Sequence, residues 1–136
     1  MRVVLDSNVI IAAYATEGLC HSEFELCLTA HTLVMSEDIL DEVRDKLATK
    51  IKVPSKIVKE IEIFLRKTAV FEQPRAVSPE RCRDANNLKI LGLAHSVQCI
   101  VSGDQDLLTL GSFEGTPILP PRQFYERLQR IPHKKP

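Results

Sequence analysis

Hydrophobic positions in this chain follow two alternating rhythms. Short apolar runs, bounded by polar residues, occur at Val3-Val4-Leu5, Thr32-Leu33-Val34-Met35, Ala69-Val70-Phe71, Cys99-Ile100-Val101-Ser102 and Thr116-Pro117-Ile118-Leu119. Continuous runs of that length suit strands covered on both faces, although a buried helical segment of equal length would look the same. Between them, apolar positions recur at helical spacing. The first such stretch starts at Ser7 and Asn8, both helix-starting residues, and stops near Thr16-Glu17-Gly18. The next runs from Cys20 to about Thr29, with Phe24, Leu26, Cys27 and Leu28 as its apolar side. Ser36 is the expected cap of a helix through Ile39, Leu40, Val43 and Leu47. Pro54 and Ser55 open another, where Ile57, Val58, Ile61, Ile63, Phe64 and Leu65 offer packing and spare apolar surface for a partner. Residues 72–83, with Pro74 and Pro79, read as a loop. A helical run follows at Ile90, Leu91, Leu93, Ala94 and Val97, then a short turn at Leu107–Leu110. Pro120 and Pro121 start a last helix through Phe124, Tyr125 and Leu128.

Strand–helix alternation of this kind predicts an α/β fold with a central parallel sheet and helices on both faces. Right-handed crossovers would bring the carboxyl ends of the strands to one edge, where open α/β sheets bind ligands. Asp6 ends the first apolar run and Asp104 follows the fourth. Asp84 and Asn87 stand where a helix begins, and Glu42 lies on the margin of its helix's apolar arc, beside Ile39 and Lys46. Asp38, Asp41 and Asp45 fall further round, toward solvent. Each acid has a plainer reading: Asp6 as a turn residue, Asp84 and Asn87 as caps, Glu42 as a solvated surface glutamate. Together they predict a cleft of negative oxygens. No lysine or arginine accompanies Asp6 or Asp104 in sequence, and clustered carboxylates raise each other's pKa unless something positive sits among them. An all-oxygen set selects Mg²⁺ or Mn²⁺ over zinc. Such ions activate water for phosphodiester displacement.

Composition narrows the field without changing it. A chain of 136 residues fits one domain, spanning 1–130, with a basic, proline-punctuated tail at 131–136 that is expected to fray. Eighteen basic and eighteen acidic residues cancel, so a polyanion such as RNA must meet a local patch. Near-neutrality is also compatible with self-association. Cys20, Cys27, Cys82 and Cys99 form no C-x-x-C pair and are expected as reduced thiols. No run approaches a membrane span and no signal peptide precedes the first strand, which predicts a cytoplasmic protein. His21, His31, His95 and His133 sit on no motif, and no Walker loop or G-x-S-x-G is present.

Four blocks then carry a resemblance. V-V-L-D-S-N-V-I at 3–10, S-E-D-I-L-D-E-V at 36–43, C-R-D-A-N-N-L-K-I-L-G-L-A at 82–94 and I-V-S-G-D-Q-D-L-L at 100–108 resemble the four signatures of the PIN domain. The nearest subgroup is the stand-alone prokaryotic one, the VapC-like toxins of type II toxin–antitoxin pairs. The resemblance implies a three-layer α/β/α sandwich, a Mg²⁺- or Mn²⁺-dependent ribonuclease, a small antitoxin partner and a homodimer. Carried over by position, Asp6 of the first block, Glu42 of the second, Asp84 as the first acid of the third and Asp104 of the fourth are the implied catalytic and metal-binding acids. Asn8, Ser102 and Asp106 are supporting residues. The third block departs from the subgroup's C-R-D-P-x-D-N-K: its second acid falls on Asn87 and the following asparagine on Leu88. Asparagine can coordinate through its carbonyl but brings no charge and cannot act as a base, so Asp84 or Asp106 would have to compensate. A nuclease-fold module that binds RNA or a protein with little cleavage is the competing expectation. A phosphatase or receiver-like domain phosphorylated on Asp6 is a third, weakened by D-S-N standing where a second acid is wanted. RNA-contact candidates are Arg75, Arg81, Arg83 and Lys89 around the third block and Arg122 at the last helix. Each is equally readable as solvated surface.

Overall fold

The computed structural model describes residues 1–15 and 19–130, excluding the side chains of residues 19, 20, 23, 129 and 130. The expected helix end at 16–18, the Cys20 thiol and the 131–136 tail lie outside the described residues.

Six strands form one sheet: β1 (Arg2–Leu5), β2 (Thr32–Met35), β3 (Val70–Phe71), β4 (Cys99–Val101), β5 (Ser112–Phe113) and β6 (Thr116–Leu119), in the order β3-β2-β1-β4-β6-β5. All neighbours run parallel except β5 and β6. Val3, Val4 and Leu5 are each 0% exposed, and successive side chains of a strand point to opposite faces, so both faces of β1 are covered. The cover is α1 (Ser7–Ala15), α2 (Leu19–Thr29), α3 (Glu37–Thr49), α4 (Ser55–Thr68), α5 (Ala85–Leu91), α6 (Gln105–Leu110) and α7 (Pro121–Arg130). This is the expected sandwich. Ser36 caps α3, its hydroxyl accepting from the Ile39 amide, and Ile39, Leu40, Val43 and Leu47 turn into the core.

Two elements differ from the sequence reading. The helical run at 90–97 breaks in two, because α5 stops at Gly92 and a 3-10 turn covers Ala94–Ser96. Gly92 lies against the 72–83 loop so closely that a Cβ there would stand 2.4 Å from the Arg75 carbonyl oxygen. The second difference is β5, an antiparallel strand that the alternation gave no sign of. A two-residue turn, Glu114-Gly115, joins it to β6, with φ of 49° and 86°. That double positive φ is the turn geometry matching the twist of a tight hairpin.

Cys27, Cys82 and Cys99 are buried thiols, as expected. Among the described residues no helix is long and apolar enough to cross a membrane.

The sheet order places the functional edge. From β1 the chain moves outward to β2 and β3, then returns to the other side of β1 as β4. The reversal leaves a crevice beyond the carboxyl ends of β1 and β4, where Asp6 and Asp104 lie.

Candidate active site

Asp6 is fixed by the strand it terminates. Its amide donates to the Val101 carbonyl of β4 at 2.9 Å, and its own carbonyl accepts from Val9 at the start of α1. The residue is only 5% exposed. Oδ2 accepts from the Ser102 hydroxyl at 2.7 Å, and Oδ1, 3.3 Å from the Ser7 hydroxyl, shares that hydroxyl's single proton with Glu42. Burial pushes the Asp6 carboxyl above its ordinary value; hydrogen bonds from Ser102, the Asn8 amide and Ser7 pull the other way, and the charge of Glu42 adds to the rise.

Ser102 joins the two strand ends. The hydroxyl that donates to Asp6 also accepts from the Asp104 amide at 2.9 Å. Asp104 caps α6, its Oδ1 accepting from the amides of Asp106 and Leu107, and the same oxygen receives the Asn87 side-chain amide at 3.2 Å. Asn87 is 5% exposed and also donates to the Cys82 sulfur at 3.7 Å. Asp84 caps α5 by accepting from the Asn86 amide at 2.9 Å.

Glu42 reaches the same place from α3. Its Oε1 accepts from the Ser7 hydroxyl at 2.7 Å and from Lys46 Nζ at 2.8 Å. Burial would raise its carboxyl, but the hydrogen bonds from Lys46 and Ser7, with the ammonium's charge, outweigh that and bring it below its ordinary value.

These side chains line one cavity of about 230 Å³, bounded by Asp6, Asn8, Glu42, Asp45, Lys46, Asp84, Asn86, Asn87, Ile90 and Asp104. All four expected acids are there, with Asn8 and Asn87. Asp45, expected in solvent, is exposed but contributes to the rim. Asp106, the other acid expected near Asn87, lies off the lining and pairs with Arg83 at 2.7 Å. Lys46 and Ser7 were missed. Their signals were faint, a glutamate–lysine i,i+4 spacing and a serine that also reads as a helix start.

The donors are carboxylate, amide and hydroxyl oxygens, the chemistry that suits a hard dication. Among the described residues, however, no three acidic side chains are arranged to hold an ion together. The contacts account for this: Lys46 and Ser7 hold Glu42, α5 holds Asp84, and Asn87 with α6 holds Asp104 Oδ1.

The basic candidates lie elsewhere. Arg75 and Lys89 line a second groove of about 540 Å³, to which α5 contributes Ala85 and Leu88 while its Asn86, Asn87 and Ile90 face the acidic cavity. Lys89 pairs with Asp38 there at 2.9 Å. Arg81 lies over the Phe113 ring at 4.7 Å. Arg83 projects into solvent, and Arg122, at the start of α7, lines neither depression.

The family model described as PIN domain matches residues 2–106, from β1 into α6. The chain belongs to the PIN domain family. PIN domains are generally nucleases and generally use divalent metals. Among solved structures, the chain is similar to one described as VapBC2 from Rickettsia felis bound to a DNA fragment from their promoter. That match has 14% identity and a TM-score of 0.61, covering 88% of this chain and 98% of the other, and at that identity it shows the fold. No curated protein matches the chain. The acidic cavity thus lies within the PIN match, at the edge its β1 and β4 define.

Proposed function

We propose that this PIN domain is a Mg²⁺- or Mn²⁺-dependent endoribonuclease acting at the acidic cavity, and that it serves as the toxin of a type II toxin–antitoxin pair. The observation that carries the reading is the convergence of Asp6, Glu42, Asp84 and Asp104 on one cavity at the switch point of the sheet. Asp6 and Asp104 are the principal ligands, with Glu42 and Asp84 beside them. A bound divalent ion would activate water and stabilise the leaving oxygen of a phosphodiester. The chain's own residues prepare for it. Ser102 and Ser7 orient the Asp6 carboxylate, the Asp104 cap fixes that side chain against α6, and the buried floor strengthens electrostatic interactions with whatever cation enters. Asn8 supports the cavity from α1.

Arg75 and Lys89, across α5 from the cavity, supply phosphate contacts to an RNA strand leaving it, with Arg83 and Arg122 as outlying contacts. A small antitoxin is the proposed protein partner, and the similarity to VapBC2 together with exposed Ile57, Ile63 and Phe64 on α4 supports a partner-binding surface. A homodimer and a cytoplasmic location complete the proposal.

The second reading is a PIN module with weakened catalysis that binds RNA or protein. Two contacts favour it: Asn87 satisfies Asp104 where an acid is expected, and Lys46 satisfies Glu42. The discriminating experiment is Mn²⁺-dependent cleavage of mixed RNA by the wild type and by Asp6→Asn prepared identically. The nuclease reading expects a loss of about a hundredfold or more in the variant. Equal cleavage by both, or none by the wild type, rejects it.

A further inference from the structure

An ammonium group already stands in the acidic cavity. Lys46 Nζ donates to Glu42 Oε1 at 2.8 Å and to Asn8 Oδ1 at 3.0 Å. Its position on α3, one turn beyond Glu42, puts both side chains on the same side of the helix. Asn8 comes from α1, so the lysine clasps two elements across the cavity wall. With 30% of its side chain exposed, it is held in the wall rather than extended into solvent.

The rest of the cavity lacks such a charge. Among the described residues, Asp6, Asp84 and Asp104 have no salt-bridge partner; their hydrogen bonds come from hydroxyls and amides, and the charge of Arg83, paired with Asp106, acts on Asp104 only from a distance. Compensation is therefore uneven. The Glu42 side carries a fixed positive charge, and the Asp6–Asp104 side carries two carboxylates, with the Ser102 hydroxyl joining the Asp6 carboxylate to the Asp104 backbone amide.

We propose that Lys46 is a positioning residue that serves as the cavity's resident cation, satisfying Glu42 so that the cavity accepts one divalent ion, on the Asp6–Asp104 side, rather than two. The proposal rests on reading the cavity as a metal centre. A second dication on the Glu42 side would have to displace the ammonium from two hydrogen bonds or sit beside it, and like charges at that range repel strongly in a partly buried site. Methionine at position 46 keeps the length of the side chain and removes the charge.

The test counts ions instead of following activity. Metal-stripped wild type, Lys46→Met and Lys46→Arg are titrated with Mn²⁺ by calorimetry, and the loaded samples are examined by electron paramagnetic resonance. The expected result is one ion in the wild type and in Lys46→Arg, and two in Lys46→Met with the signature of a coupled manganese pair. Two ions in the wild type overturn the proposal whether or not either variant folds. One ion in both the wild type and a folded Lys46→Met also overturns it, while leaving the metal-centre reading intact. No Mn²⁺ bound by any of the three removes that reading, and the proposal with it.

Discussion

Asn87 stands 17 residues before Asp104 in sequence, yet its side-chain amide donates to Asp104 Oδ1 at 3.2 Å. An acid is expected at position 87 from the motif, and the geometry shows what the amide does in its place: it quiets Asp104 without a metal. Asn87→Asp would set two carboxylates against each other in a mostly buried spot. The metal-free variant is expected to lose about 1–2 kcal/mol, roughly 3–8 °C in melting temperature. Mn²⁺ should reverse the deficit and bind roughly tenfold more tightly than to the wild type. Thermal melts with and without Mn²⁺ check both.

Ser102 is 0% exposed and serves both strand-end acids. Ser102→Ala leaves the Asp104 amide and one Asp6 oxygen without that partner. The expected cost is about 1–3 kcal/mol in chemical denaturation. Mn²⁺ affinity should fall about 10- to 100-fold, as when residues that orient metal ligands are removed.

Asp6 yields a pH dependence of definite sign. Its folded-state carboxyl is raised, chiefly by burial. Its stabilising contribution is therefore fully present below the unfolded value of about 4 and is lost as pH rises through the folded value. Asp6→Asn cannot ionise, so without metal it should melt above the wild type at pH 7, with the gap closing toward pH 4. Saturating Mn²⁺ should invert the order at pH 7. Melting curves across that range decide it.

Gly92 positions the loop that carries Arg75. The Arg75 amide donates to the Gly92 carbonyl at 2.9 Å, and a Cβ at 92 would also meet Pro74 Cβ at 2.9 Å. Gly92→Ala must push backbone aside, at a cost of about 1–3 kcal/mol measured by urea unfolding. RNA binding should weaken while the Mn²⁺ count stays unchanged.

What the sequence made legible follows from range. Val3-Val4-Leu5 ending on Asp6, and Cys99–Ser102 followed by Asp104, are contiguous signals, and parallel topology then forces their ends together. Ser36 as a cap and the arc of Ile39, Leu40, Val43 and Leu47 are likewise local. The missed features are those whose meaning lies in a distant partner. Lys46 beside Glu42 looks like any solvated helical ion pair until Asn8 and Ser7 arrive from α1. The pairing of Arg83 with Asp106, 23 residues away, is likewise invisible to any local pattern. β5 is two residues long, too short for any period, and its turn uses Glu114-Gly115 rather than the Asn-Gly or Asp-Gly pairs that announce a hairpin.

The central claim is that Asp6 and Asp104 jointly hold a divalent ion. Calorimetric titration of Mn²⁺ into metal-stripped wild type and Asp104→Asn, side by side, tests it most directly. The account expects saturable binding by the wild type and a loss of at least about tenfold in affinity, 1.4 kcal/mol or more, in the variant. Identical isotherms for the two proteins would contradict it.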